Sequence, residues 1–277
     1  MKKSLLTTIC FFIIIGVFAN NIDRFSEIPV SDVNEFTYWD KAYEKLLLQK
    51  VGTTLPELLT FPFFQYPNDG HQEIVNHFPS GKVPVFGYGS LMNKVSAARS
   101  MKNKAVESME PAIAFGVKRL FNYKVTDPSR WGAEQNRKEK AMLNIAQTLN
   151  IGSMANGVVV EVDAEDLTKL VSRETGYDLV PILVASWNDV MNQNPEIEVR
   201  VAYTFVAVHE LRNNISYTST EYYPVLGYLH AIQEASQAYG PEFAAFWNAT
   251  TYLANGTTSI EKWDEVTFKD ILCTIKP

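Results

Sequence analysis

Apolar positions recur along this chain in two rhythms, one helical and one suited to strands. Over 32–48 the residues Phe36, Trp39, Ala42, Tyr43, Leu46 and Leu47 fall mostly three or four apart, which predicts a helix with one buried face. An aromatic-rich stretch at 61–66 and the turn residues Pro67-Asn68-Asp69-Gly70 follow. At 83–86 the apolar run is short and continuous, as in a buried strand, and Gly87-Tyr88-Gly89 ends it. Further strands are predicted at 112–123, 141–146 and 157–162, with a polar loop over 126–140. Asp163 can cap a helix, with Asp166 in the capping-box position, Leu167 and Leu170 on the apolar face and Gly176 as the stop. Strands at 179–185 and 199–208 come next. The second alternates Val199, Val201, Tyr203 and Phe205, which predicts a half-buried strand. Pro224 suits the first turn of a helix that carries Val225, Leu229, Ile232, Ala235 and Tyr239. A last helix runs through Phe243, Phe246 and Trp247.

Strands first, with one helix inserted, and helices last predict an α+β domain with a curled sheet or barrel. It spans 83–277, and 20–82 is an N-terminal extension expected to pack on it. Residues 1–19 follow a different pattern: Lys2 and Lys3, an apolar run over 5–18, then Val17-Phe18-Ala19 before Asn20. That order reads as a secretory signal peptide cut after Ala19, so the chain is expected to be exported, periplasmic or secreted, with no stable membrane association after cleavage. The other reading is an uncleaved anchor, for which the run falls short of the roughly 20 residues a span needs.

Loss of the leader would remove two lysines and leave 23 basic against 31 acidic residues, a net charge of −8. That balance offers no electrostatic footprint for nucleic acid, and the basic clump Arg137-Lys138-Glu139-Lys140 reads as a solvated loop. Cys273 would be the sole cysteine, which excludes an intrachain disulfide and suits a small buried hydrophobe. The sequons at Asn214, Asn248 and Asn255 are short patterns that arise by chance in such a chain.

Candidate chemistry narrows by exclusion. His71 and His77 have no HExxH pattern, and His209 and His230 stand alone, so no metal is expected. Ser90 lacks the flanking glycines of a nucleophile elbow. Gly87-x-Gly89 is followed by Met92 where a dinucleotide fingerprint needs a third glycine. No cofactor is implied.

Two features remain. Gly87-Tyr88-Gly89-Ser90 follows a buried strand, and its glycines let backbone N–H groups approach a carboxylate or an oxyanion. A tight turn beside a core tyrosine fits the same residues. In Arg173-Glu174-Thr175-Gly176-Tyr177, Glu174 is placed in the last helical turn. There the helix dipole disfavours its charge and nudges its pKa upward, which suits proton transfer near neutrality. A solvated glutamate is the plainer reading.

Taken in order along the chain, these segments resemble the γ-glutamylcyclotransferase superfamily. Phe86-Gly87-Tyr88-Gly89-Ser90-Leu91 is similar to its substrate loop, and Arg-Glu-x-x-Tyr with Asp178 and Pro181 is similar to the stretch holding its catalytic glutamate. Arg119-Leu120-Phe121-Asn122, Leu143-Asn144-Ile145, Asn156-Gly157-Val158 and Pro224-x-x-x-Tyr228 match in the same order, over roughly 83–256. The resemblance implies a mixed β-barrel or curled sheet with surrounding helices. It implies cleavage of a small γ-glutamyl amide by its own α-amine, giving 5-oxoproline and a free amine. By resemblance, Glu174 is the acid/base, and Val85, Phe86, Gly87, Tyr88, Gly89, Ser90 and Leu91 hold the γ-glutamyl unit. Tyr177 and Tyr228 form the pocket wall, and Arg119 is either a carboxylate partner or half of a structural ion pair. Glutathione, a γ-glutamylamine or another conjugate would serve as substrate. The alternative is a secreted, catalytically inactive binding protein on the same fold.

Overall fold

A computed structural model describes residues 39–68, 70–132, 138–148, 150–207 and 215–263. The leader, Phe36, Asp69, Arg137, His209, Asn214 and Cys273 lie outside them. In chain order the elements begin with α1 (Lys41–Leu58), α2 (His71–His77) and β1 (Val83–Gly87), then a one-turn 3-10 helix at Ser90–Met92. Next come α3 (Lys94–Ala97), α4 (Asn103–Glu107), β2 (Glu110–Phe115), β3 (Val117–Lys124), β4 (Glu139–Gln147) and β5 (Met154–Val162). They are followed by α5 (Ala164–Arg173), β6 (Tyr177–Ser186), α6 (Trp187–Met191) and β7 (Arg200–Ala207). The chain continues through β8 (Tyr223–Pro224), α7 (Leu226–Gln237), α8 (Pro241–Ala249) and β9 (Thr251–Leu253). The class is α+β, as expected. Among the described residues no helix is long and apolar enough to cross a membrane.

Five strands close into a mixed barrel in the order β1-β5-β2-β6-β7, and β7 returns to β1 in parallel at Val85 and Tyr203. The others form a four-stranded sheet, β8-β4-β3-β9. The continuous apolar runs of β1 and β5 follow from closure, because interior side chains fill the barrel while helices and the second sheet cover its outside.

Three expectations change. The strand at 112–123 is two strands, split at Gly116, whose φ of +66° turns the chain from the barrel into the second sheet. The apolar pattern runs on through that turn and hides it. The strand at 199–208 is not half-buried, since every residue of β7 after Arg200 is buried. Both faces are covered: Tyr203 of the apolar series donates its hydroxyl to Pro62 O (2.6 Å), with Phe61 and Phe78 packed against its ring, and Thr204, the next residue, is buried and donates to Phe86 O (3.0 Å). Pro224 is not helical. It pairs with Ala141 in the edge strand β8, where a missing N–H costs no ladder bond, and α7 starts after Val225.

The extension joins the same core. Tyr43, Leu47 and Val51 are the buried face of α1, and Lys50 Nζ donates to Ile197 O at 3.0 Å. Phe64 and Leu179 exchange two backbone hydrogen bonds at 3.0 Å, and Tyr66 N–H donates to Asp178 Oδ1 at 2.8 Å. The 64–66 segment thus braces the start of β6, next to Glu174.

Helix α5 is capped as its sequence predicts, but only on one side of the box. Asp163 Oδ1 accepts the Asp166 N–H (3.0 Å), while the Asp166 carboxylate turns to the Lys102 N–H (3.2 Å). The Asp166 N–H bond, with Lys102 Nζ at 3.0 Å, holds the Asp163 carboxyl down to about 2 from its ordinary 3.8. Replacing Asp163 with Ala is expected to cost about 1 kcal/mol, read as a lower Tm at neutral pH. Because the folded value is depressed, the charge contribution is complete above 3.8 and is lost as pH falls through about 2. The Tm gap between parent and Asp163→Ala should narrow over that window, and a constant gap would show that the charge adds nothing to the cap.

Candidate active site

β1 is buried along its whole length and delivers the chain to Gly87-Tyr88-Gly89 at one end of the barrel. The chain then tightens into the 3-10 turn, closed by Met92 N–H to Gly89 O (2.9 Å) and Asn93 N–H to Ser90 O (3.3 Å). The amides of Ser90 and Leu91 head this turn, where N–H groups find no acceptor within the helix. Close approach explains the glycines: a Cβ at Gly87 would lie 2.6 Å from Leu91 Cβ, and one at Gly89 would lie 2.7 Å from the Tyr228 hydroxyl oxygen.

Glu174 reaches the same place from the other side of the sequence. α5 ends at Arg173, so Glu174 is its C-cap (φ −92°, ψ 60°) and not part of the last turn. Its N–H still donates to Leu170 O (3.0 Å), and its carbonyl accepts Tyr177 N–H (3.3 Å) across Gly176, whose φ is +82°. Arg173 binds both halves of the site. Its Nε lies 3.2 Å from Glu174 Oε1, and its NH2 group donates to Ser90 Oγ (2.8 Å) and Ser96 Oγ (3.1 Å). Its NH1 group donates to Ser96 O (3.1 Å) and Ser100 Oγ (3.3 Å). One planar guanidinium therefore fixes the acid relative to the loop, a geometry that lysine's single ammonium does not reproduce.

Aromatic side chains wall the space between. The Tyr88 hydroxyl donates to Phe205 O on β7 (2.7 Å), and the Tyr177 hydroxyl to Leu143 O on β4 (2.9 Å). The Tyr123 ring stacks on Tyr177 at 4.5 Å and its hydroxyl donates to Thr175 O (2.8 Å), while Trp131 meets Tyr228 edge-on at 5.2 Å. Burial pushes the Tyr88 phenol well above its ordinary value, and the Glu174 and Tyr228 charges add to that. Tyr177 is raised in the same way, by burial first and then by its tyrosine neighbours and Glu174. Both rings stay neutral in any ordinary working range.

A cavity of about 800 Å3 lies among these groups. Phe86, Gly87, Tyr88, Gly89, Ser90 and Leu91 line it, and so do Glu174, Tyr177 and Tyr228. Two of the residues singled out in the sequence do not. Val85 is fully buried within the barrel, paired with Val160 and Tyr203. Arg119 is fully buried too, donating to the side chains of Thr250 and Thr251, to Asn156 O and Oδ1, and to Trp247 O. It also stacks on the Trp247 ring at 4.8 Å. Burial works against its charge, and its five acceptors are all neutral, so it is neither a substrate partner nor half of an ion pair. Several lining residues had carried no signal. Arg173 stood beside Glu174 in the quoted motif, and its position was the available clue. Tyr123, Trp131, Ser96 and Ser100 come from segments that only the fold brings together. His71 bonds Thr168 Oγ1 at 3.1 Å, and among the described residues no three His, Cys, Asp or Glu side chains group as metal ligands.

No protein-family profile matches the chain, and no curated protein matches it. Similar solved structures include γ-glutamyl cyclotransferases. YkqA from Bacillus subtilis is 17% identical with a TM-score of 0.45, covering 66% of this chain and 59% of its own, so the chain spans less than two thirds of that protein. A γ-glutamyl cyclotransferase is 15% identical with a TM-score of 0.40, covering 69% of this chain and 98% of its own. The yeast γ-glutamyl cyclotransferase specific to glutathione is 14% identical with a TM-score of 0.39, covering 61% and 95%. Likenesses this distant decide neither family nor activity.

The contact between Gly89 and Tyr228 can be tested directly. Gly89→Ala should destabilise the fold by about 1–3 kcal/mol, because the new methyl group and the hydroxyl cannot share the space. Adding Tyr228→Phe should recover much of that loss in a thermal double-mutant cycle. Strictly additive losses would show that the loop yields elsewhere.

Proposed function

We propose that this chain is a γ-glutamylcyclotransferase, with Glu174 as general acid and base. The observation that carries this reading is that Glu174 and the 86–91 loop, far apart in sequence, line one cavity and are tied together by Arg173. The motif order noted in the sequence supports the same assignment.

The substrate's α-ammonium gives a proton to the Glu174 carboxylate. The freed amine attacks the γ-carbonyl carbon, a five-membered ring closes, and the carbonyl electrons move onto oxygen. The amides of Ser90 and Leu91 receive that oxyanion, the task for which preorganised backbone donors are most effective. As the intermediate collapses, the bond to the departing nitrogen breaks and Glu174 returns its proton there; the ring nitrogen's second proton passes by the same carboxylate to the freed amine, which leaves as an ammonium. The products are 5-oxoproline and a free amine, and no water is consumed. The nucleophile arrives tethered to its target, so proximity supplies much of the rate and no activated side chain or cofactor is called for. Tyr88, Tyr177 and Tyr228 enclose the γ-glutamyl unit and keep bulk water from it.

Purified protein is expected to release 5-oxoproline from one or more members of a panel of γ-glutamyl dipeptides, γ-glutamylamines and glutathione. Glu174→Gln should lower that release by about 10²-fold or more while leaving the thermal midpoint unchanged. A folded Glu174→Gln protein with parental turnover would remove Glu174 from the chemistry. A parent that binds γ-glutamyl compounds without turning any over would favour the binding-protein alternative.

A further inference from the structure

We propose that the N-terminal extension is a working part of the site, and that Tyr66 and Tyr217 are positioning residues for Glu174. The proposal rests on the cyclotransferase reading and adds to it residues that lie outside the cavity.

Glu174 sits where the chain has little of its own to hold it. It follows the last helical residue of α5, and the turn beyond runs through Gly176, whose φ is +82°. Glycine accepts that conformation at no steric cost, but it accepts others as readily, so neighbours must fix the turn. Among the described residues three tyrosines do so. The Tyr123 hydroxyl donates to Thr175 O (2.8 Å), and the Tyr177 hydroxyl to Leu143 O (2.9 Å). The third, Tyr217, lays its ring against Gly176, where a Cβ would collide with Cδ1 and Cε1 of that ring.

Tyr217 is held in turn. Its carbonyl accepts the Lys124 N–H (2.9 Å), and Ser219 N–H donates to Asn122 O (2.9 Å), which anchors its segment to the end of β3. On its flank, the Tyr66 ring of the extension meets its ring edge-on at 5.7 Å. Tyr66 is fixed in that place, because its N–H donates to Asp178 Oδ1 (2.8 Å) and Phe64, two residues earlier, pairs with Leu179. The extension also reaches the other side of Glu174, since His71 Nε2 bonds Thr168 Oγ1 on α5 (3.1 Å). Contacts from 64–71 thus fall on α5, on β6 and, through Tyr217, on the turn between them.

Aromatic pairs of this kind ordinarily supply packing and nothing more. Here the location separates the two roles. Neither Tyr66 nor Tyr217 lines the cavity, so a change in either reaches the chemistry only through the turn. A carboxylate moved by a small distance still admits substrate but transfers its proton poorly.

The test uses the full chain and whichever member of the γ-glutamyl panel the parent converts fastest to 5-oxoproline. Tyr217→Ala should lower kcat by about 10- to 10²-fold with KM nearly unchanged, the loss that a small misplacement of a catalytic group produces. Tyr217→Phe keeps the ring on Gly176 and should keep the parental kcat. Tyr66→Ala should also lower kcat. It should cost nothing further in a chain that already carries Tyr217→Ala, because its ring acts through that of Tyr217. Rates are compared per folded molecule, judged by a cooperative thermal transition. If Tyr217→Ala lacks one, Tyr217→Leu takes its place, filling volume without a flat ring. Parental kcat in the folded Tyr217→Ala chain, a loss confined to KM, or Tyr217→Phe as impaired as Tyr217→Ala overturns the proposal while the cyclotransferase reading stands. Parental kcat in Tyr66→Ala, or additive losses from the two alanine changes, overturns the part assigned to the extension. No release from any member of the panel by the parent overturns the underlying reading and this proposal with it.

Discussion

A guanidinium sealed from water fixes how the two sheets of this protein meet. Arg119 projects from β3 and satisfies five acceptors, on Asn156 in the barrel, at the C-terminal end of α8 and on β9. Asn156 passes the connection on by donating to Phe243 O at 2.7 Å. Taking such a group out of water is costly, and the arrangement persists because all three guanidinium nitrogens donate and the Trp247 face covers the plane. The cavity depends on this alignment. One of its walls is the loop that leaves the barrel strand β1, and another is Tyr123, Met142 and Leu143 from the second sheet. Bonds from Tyr177 to Leu143 and from Ala207 N–H to Asn144 Oδ1 (2.8 Å) repeat the junction closer to the site.

The sequence revealed the parts of the molecule whose physics is local. Continuous apolar runs marked β1 and β5, the Asp163 cap and Gly176 bracketed α5, and the glycines at 87 and 89 marked the loop. What stayed hidden depended on distant partners. Gly116 looks like any glycine in an apolar run until its positive φ separates two sheets. β7 reads as half-buried because its alternation is real, but the 61–78 stretch covers Tyr203 of that apolar series while Ala202, Thr204 and Val206 between are buried as well. Arg119 invited a functional role because a buried arginine with only neutral partners has no sequence signature. Arg173 was in plain view, yet nothing local announced that it would reach Ser90, 83 residues away, and so bridge it to Glu174.

The electrostatics of the cavity are simple once burial is taken into account. Tyr88 and Tyr177 have their phenols held well above the ordinary range, so they contribute oriented dipoles rather than ionisable groups. Their hydroxyls are committed to backbone carbonyls of β7 and β4. The Glu174 carboxylate beside them is held by a neighbour whose other bonds all go to the loop and the turn after it. Glu174 and the 86–91 loop are therefore tied to each other through Arg173.

The strands that finish the second sheet bear on how copies of this chain behave toward one another. Among the described residues the barrel, being closed, has no edge, and the sheet's edges are β8, two residues long with a proline, and β9, three residues long. Long unpaired edges are where chains add to one another and grow into aggregates, and short or proline-bearing ones offer little template. Pro224, unexpected in a strand, thus helps keep a β-rich protein from polymerising through its sheet.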